Sequence, residues 1–124
     1  MGERRLWNVT LTVGGAPEDP DAVRAALERL AAEQPFLVSG RYSADCAELR
    51  YWEEAETCGD ACALALRVWG EHRGSARLPA WQVVGLEVVD RQVSERRADG
   101  ATLRQAPISL LTPVSLQTTW RPLP

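Results

Sequence analysis

Residues Pro35–Glu54 read PFLVSGRYSADCAELRYWEE, two alternating runs joined by a short turn-like segment. Phe36, Val38, Gly40 and Tyr42 alternate with Leu37, Ser39 and Arg41. After Ser43-Ala44-Asp45-Cys46, Ala47, Leu49 and Tyr51 alternate with Glu48, Arg50 and Trp52. A period of two puts alternate side chains on opposite faces of a strand. The stretch is therefore expected to be a β-hairpin with its turn at Ser43–Cys46 and one face on the core.

Upstream, LWNVTLTV (Leu6–Val13) reads as a strand, with Trp7, Val9, Leu11 and Val13 on one face. Leu6, Asn8, Thr10 and Thr12 fall on the other. Gly14-Gly15-Ala16-Pro17 ends it. A helix is expected from Asp19-Pro20, since Asp caps well and Pro suits the first helical position. Val23, Ala26, Leu27, Leu30 and Ala31 make its apolar stripe, and Pro35 stops it.

Downstream, the second hairpin strand runs out in Glu53-Glu54-Ala55-Glu56. Thr57-Cys58-Gly59-Asp60 has the form of a capping box, with Asp in the place usually held by Glu or Gln. Ala61, Leu64, Ala65, Val68 and Trp69 follow as an apolar stripe that can take in His72, and Gly74 fits a C-terminal cap. WQVVGLEVV (Trp81–Val89) reads as a strand with Val84, Leu86 and Val88 on the core face, and Asp90–Arg97 as its polar extension.

The order strand, helix, strand, strand, helix, strand resembles the ferredoxin-like βαββαβ split sandwich. That resemblance implies an α+β domain over residues 1–97, its antiparallel sheet carrying two helices on one face. Residues 98–124 fall outside this unit. They are apolar for a tail and contain Pro107 and Pro113, which preclude a long helix. They read as an extended arm, packed on its own domain or reaching a neighbour by strand addition or by laying Trp120 in a groove.

Composition excludes several function classes. The net charge of -3 gives no general attraction to nucleic acid or anionic membranes. No apolar run has the length of a membrane span, and MGERRLWN lacks the apolar core of a signal peptide, so a cytoplasmic protein is expected. All 14 Lys+Arg residues are Arg. Without Lys there is no Schiff-base chemistry and no Lys-based phosphate loop. Ile, Asn, Met and Phe each occur once while Ala, Arg, Leu and Val abound, the signature of a high-GC bacterial genome. The Arg richness is thus no sign of phosphate recognition.

Candidate chemistry is sparse. Cys58 and Cys62 share a helical face, but structural zinc needs about four ligands and no second pair follows. With three cysteines and no export signal, reduced thiols are expected. His72 has no cysteine or serine partner at a motif spacing and reads as a helix-end residue facing the macrodipole. Asp45, Glu48, Glu53, Glu54, Glu56 and Asp60 lack the spacing of a calcium loop. Gly14-Gly15 precedes a helix, but Glu18, Asp19 and Asp21 would repel a phosphate there. No catalytic residue, metal or cofactor is expected.

What remains is a surface. If both helices lie on one face of the sheet, the other carries Leu6, Asn8, Thr10, Leu37, Ser39, Arg41, Glu48, Arg50, Trp52, Val83, Glu87 and Val89. Arg and Trp are enriched where partners bind. Arg41, Glu48, Arg50, Trp52, Glu87 and Trp120 are therefore the candidate binding residues. The expected function is non-enzymatic: assembly or regulation as a homo-oligomer or on another protein, through this face and the arm. The alternative is a small-molecule binder or enzyme of the dimeric α+β barrel kind. There Arg41 and Arg50 would hold an anionic ligand, Glu48 or Glu87 would serve as acid or base, and Trp52 would line the pocket.

Overall fold

A computed structural model describes residues 4–34, 37–98 and 120–122. The chain is an α+β protein. Its elements are β1 (Arg5–Gly14), α1 (Pro20–Glu33), β2 (Leu37–Tyr42), β3 (Cys46–Ala55), α2 (Cys58–His72), β4 (Gln82–Asp90), α3 (Arg91–Ala98) and β5 (Trp120–Pro122). The strands form one sheet in the order β4-β1-β3-β2-β5. The pairs β4–β1, β1–β3 and β3–β2 are antiparallel, and β5 lies parallel to β2.

Local chemistry sets the element ends. Asp19 caps α1, its Oδ1 accepting from the Asp21 amide at 3.2 Å, with Pro20 in the first turn. Thr57 caps α2, its Oγ1 accepting from the Asp60 amide at 3.1 Å. The hairpin turn closes through Ser43 N–H to the Cys46 carbonyl at 2.8 Å. The loop after β1 docks on that turn, with the amides of Gly15 and Glu18 donating to the carbonyls of Asp45 and Ala44. At Gly15 a Cβ would stand 2.6 Å from Trp81 Cδ1, so the glycine makes room for the indole. That indole donates to the Ala16 carbonyl at 2.8 Å.

The core lies between the helices and one sheet face. Val9, Leu11 and Val13 of β1 and Leu49 and Tyr51 of β3 meet Val23, Leu27 and Leu30 of α1 and Val68 and Trp69 of α2. Burying each such apolar side chain contributes about 1.5–3 kcal/mol. Trp69 stacks on Trp81 with ring centroids 6.2 Å apart, fastening α2 to the segment that leads into β4. A smaller cluster of Trp7, Ala55 and Ala61 closes one end, where the Trp7 indole donates to the Ala55 carbonyl at 3.0 Å.

Four expectations are corrected. In β2 the pairing shifts between Leu37, opposite Tyr51, and Ser39, opposite Arg50. This bulge puts Leu37 on the core face, where it is buried, and leaves Val38 at the irregularity. Phe36, which alternation pairs with Val38 and Tyr42 on the face expected to meet the helices, lies outside the described residues. In β4 a second shift sets Val83, not Val84, opposite Val13. Val83 packs against the core and Val84 is 66 % exposed. Asp90–Arg97 does not extend β4. Asp90 Oδ1 accepts from the Gln92 amide at 2.8 Å, and α3 starts at Arg91. Finally, Gly74 is not the C-terminal cap of α2: Arg73 holds that position, Gly74 does not take a left-handed backbone, and the turn enters that region only at Arg77 (φ 52°).

Of the arm, only the backbone of Ala98 and β5 is described; the rest of residues 99–124 lies outside the described residues. Gly40, Arg41 and Tyr42 pair with Trp120, Arg121 and Pro122. The side chain of Trp120 lies outside the described set as well.

Candidate functional site: the outer face of the sheet

Pairing register, together with the alternation along each strand, defines the face turned away from α1 and α2. Directly opposite residues share a face. Three rows cross β4, β1 and β3: Val89–Asn8–Trp52, Glu87–Thr10–Arg50 and Gly85–Thr12–Glu48. Glu48 also stands opposite Arg41 of β2, and Arg50 opposite Ser39. Arg41, Glu48, Arg50, Trp52 and Glu87 thus come together on one surface. The phase of β1 and β3 is the one alternation implies, because neither strand slips between Arg5 and Gly14 in their mutual pairing.

The face has a definite relief and charge pattern. Along its middle strand run the short side chains Asn8, Thr10 and Thr12, each half-buried. On the β3 side stand Trp52, Arg50 and Glu48; on the β4 side stand Val89, Glu87 and Gly85. Trp52 and Glu48 are half-buried, while Arg41, Arg50 and Glu87 are exposed. Two cations and two carboxylates are therefore spread over neighbouring strands about 4.8 Å apart. Arg41 and Arg50 lie on a diagonal, and Glu48 sits opposite one and two residues from the other on the same strand. A carboxylate already stands where an anionic ligand would have to bind both guanidinium groups.

Two clefts lie beside these rows, the first reaching the outer face at Leu6. One of about 550 Å³ is lined by Arg4, Arg5, Leu6, Glu54, Asp90, Arg91 and Gln92. Its cations are paired: Arg4 with Glu54 at 2.7 Å, Arg5 with Asp90 at 3.8 Å and Arg91 with Glu95 at 2.9 Å. A smaller one, about 280 Å³, lies between Arg4, Glu54 and the first turns of α2. Neither is lined by Arg41, Glu48, Arg50, Trp52 or Glu87.

A polar cluster that the sequence did not signal joins the ends of α1 and α2. Glu33 Oε1 lies 2.7 Å from His72 Nδ1 and accepts from Ser75 Oγ at 2.6 Å. These partners, the Ser75 hydroxyl first, hold the Glu33 carboxyl below its ordinary value. Both His72 and Ser75 turn to the same carboxylate oxygen, so the histidine is not positioned to activate the serine hydroxyl. Glu33 and His72 are 39 residues apart, and no local spacing points to their meeting.

The thiols are free. Burial pushes the Cys62 thiol up, and its hydrogen bond and charge interaction with Cys58 push the same way. Burial, then the charges of Asp45 and Glu48, raise Cys46. Thiols shifted upward are poor nucleophiles at neutral pH. In the core, burial also raises the Tyr51 hydroxyl, which has no hydrogen-bond partner among the described residues. Burial raises the neighbouring Glu53 carboxyl, with Glu71 adding to the effect. Among the described residues no group of three or more His, Cys, Asp or Glu is placed to hold a metal ion. No helix among them is long and apolar enough to cross a membrane.

No curated protein matches the chain. Residues 6–105, which run from the second residue of β1 past α3, match the family described as "Domain of unknown function (DUF8830)". The match covers most of the 124 residues, so the chain belongs to that family.

Proposed function

We propose that the chain is a non-enzymatic binding module that meets a protein partner through the outer face of its sheet. The observation that carries this reading is the gathering of Trp52, Arg50, Glu48, Arg41 and Glu87 into adjoining rows on the face turned away from α1 and α2. Arg and Trp at the centre of a patch are the residue types that dominate binding energy. Element order and strand order both support a ferredoxin-like split βαβ unit, whose two helices α1 and α2 lie on the opposite face. The short parallel strand β5 supports a role for the arm as an added strand on the β2 edge. Free thiols accord with a cytoplasmic setting. An anionic ligand held by Arg41 and Arg50 is the weaker reading, because Glu48 stands between them.

The test compares immobilised wild-type chain with its Trp52→Glu and Arg50→Glu variants. Each is challenged with the purified chain itself and with extract of the source cells. The reading expects the wild type to retain a protein that both variants lose. Identical retention by all three contradicts it.

A further inference from the structure

The outer face is self-complementary about one axis. We propose that its occupant is a second copy of this chain, related by a two-fold axis parallel to β1 and passing over Thr10. The proposal rests on the reading of this face as a protein interface and names the partner.

Such an axis keeps each cross-strand row in place and exchanges its two ends. Glu87 and Arg50 flank Thr10 in one row, so Arg50 of one protomer comes to lie over the partner's Glu87. The same pair forms again by symmetry, as an isologous contact requires. In the adjoining row Trp52 meets the partner's Val89, a large apolar group on a smaller one. In the third, Glu48 meets the partner's Gly85, which has no side chain to obstruct it. Along the axis Asn8, Thr10 and Thr12 meet their own copies, and their small size lets the sheets approach to the usual spacing of about 10 Å. A two-fold axis across the strands through the Thr10 row places Arg50 over Arg50 and Glu87 over Glu87, which repel. The charge pattern therefore selects the axis along β1. Arg41, Arg50, Glu48 and Glu87 sum to zero, so the net charge of -3 does not oppose contact there. Glu87 has an interaction within its own chain as well, so the test changes both members of the pair.

Sedimentation velocity over a range of concentrations tests the proposal on the full chain. Wild type is expected to self-associate to a dimer. Arg50→Glu and Glu87→Arg should each weaken the dimer about tenfold or more, since each change makes two like-charge contacts. An equimolar mixture of the two variants should recover it, because in that heterodimer both contacts pair opposite charges. Both residues are exposed in the single chain, and an unchanged far-ultraviolet circular dichroism spectrum confirms that each variant is folded, since loss of a dimer by itself lowers the melting temperature. A wild type that stays monomeric throughout, variants that dimerise like wild type, or a mixture that does not recover each overturn the second copy. A monomeric wild type that still loses a retained host protein on Trp52→Glu overturns the second copy and leaves the face as an interface. If nothing retained changes on Trp52→Glu, both ideas fail.

Discussion

Glu33 Oε1 lies 2.7 Å from His72 Nδ1 and thereby joins the last turn of α1 to the last turn of α2. Ser75 donates to the same oxygen, and both contacts hold the Glu33 carboxyl below its ordinary 4.5. A carboxyl depressed on folding stabilises the protein above its unfolded pKa, and that stability is lost as pH falls through the folded value. Glu33→Gln should therefore lower the melting temperature at neutral pH. The gap to wild type should begin to close below pH 4.5 and vanish only once pH falls past the lower folded value, where the carboxylate is protonated in both states. Thermal melts of both proteins across that range check it.

Gly15 stands against Trp81, where a Cβ would approach Cδ1 to 2.6 Å. The ring is held by Trp69 on one side and by its bond to Ala16, so it cannot swing away freely. Gly15→Ala should cost about 1–3 kcal/mol, the usual range for forcing extra atoms into packed space. Urea titration measures this, and an unchanged midpoint would show that the loop relaxes.

The bulge in β4 gives neighbouring valines opposite fates. Val83 packs against the core opposite Val13, and Val84 is largely exposed. Val83→Asp should destabilise by about 2 kcal/mol or more, because it brings a charge to the edge of the core. Val84→Asp should stay within about 0.5 kcal/mol of wild type. The reverse ranking would place the strand in the phase expected from alternation.

That contrast shows what the sequence carries and what it does not. In β1 and β3, unbroken alternation sets the phase correctly, and the caps at Asp19 and Thr57 are readable from local chemistry. Glu48, Arg50 and Trp52 of β3 consequently share the outer face, and Arg41 and Glu87 join them because they lie on the in-phase side of the bulges in β2 and β4. In β2 and β4 a bulge moves Leu37 and Val83 to the core face. An inserted residue shifts the phase for everything beyond it, and no residue type at Val38 or Val84 announces it. The helix α3 was hidden by a polar composition that suits strand ends and helices alike. The Glu33–His72 contact depends on how two helices end side by side, which is set by the whole fold.

The Tyr51 hydroxyl is buried without a partner among the described residues. A buried hydroxyl that makes no hydrogen bond costs about 1–3 kcal/mol. Tyr51→Phe keeps the ring and removes that cost, so its stability should equal or exceed that of wild type. A clear loss of stability in urea titration would mean that the hydroxyl is bonded after all.

An outer face that serves as an interface must become shielded when its partner binds. Trp52 reports on it directly, while Trp7, Trp69 and Trp81 are buried in the single chain and serve as internal references. The measurement is hydroxyl-radical footprinting of each tryptophan at low and high protein concentration and with source-cell extract added. Trp52 oxidation should fall as the chain finds its partner, with the three buried tryptophans unchanged. Oxidation of Trp52 that is the same under all of these conditions would contradict it.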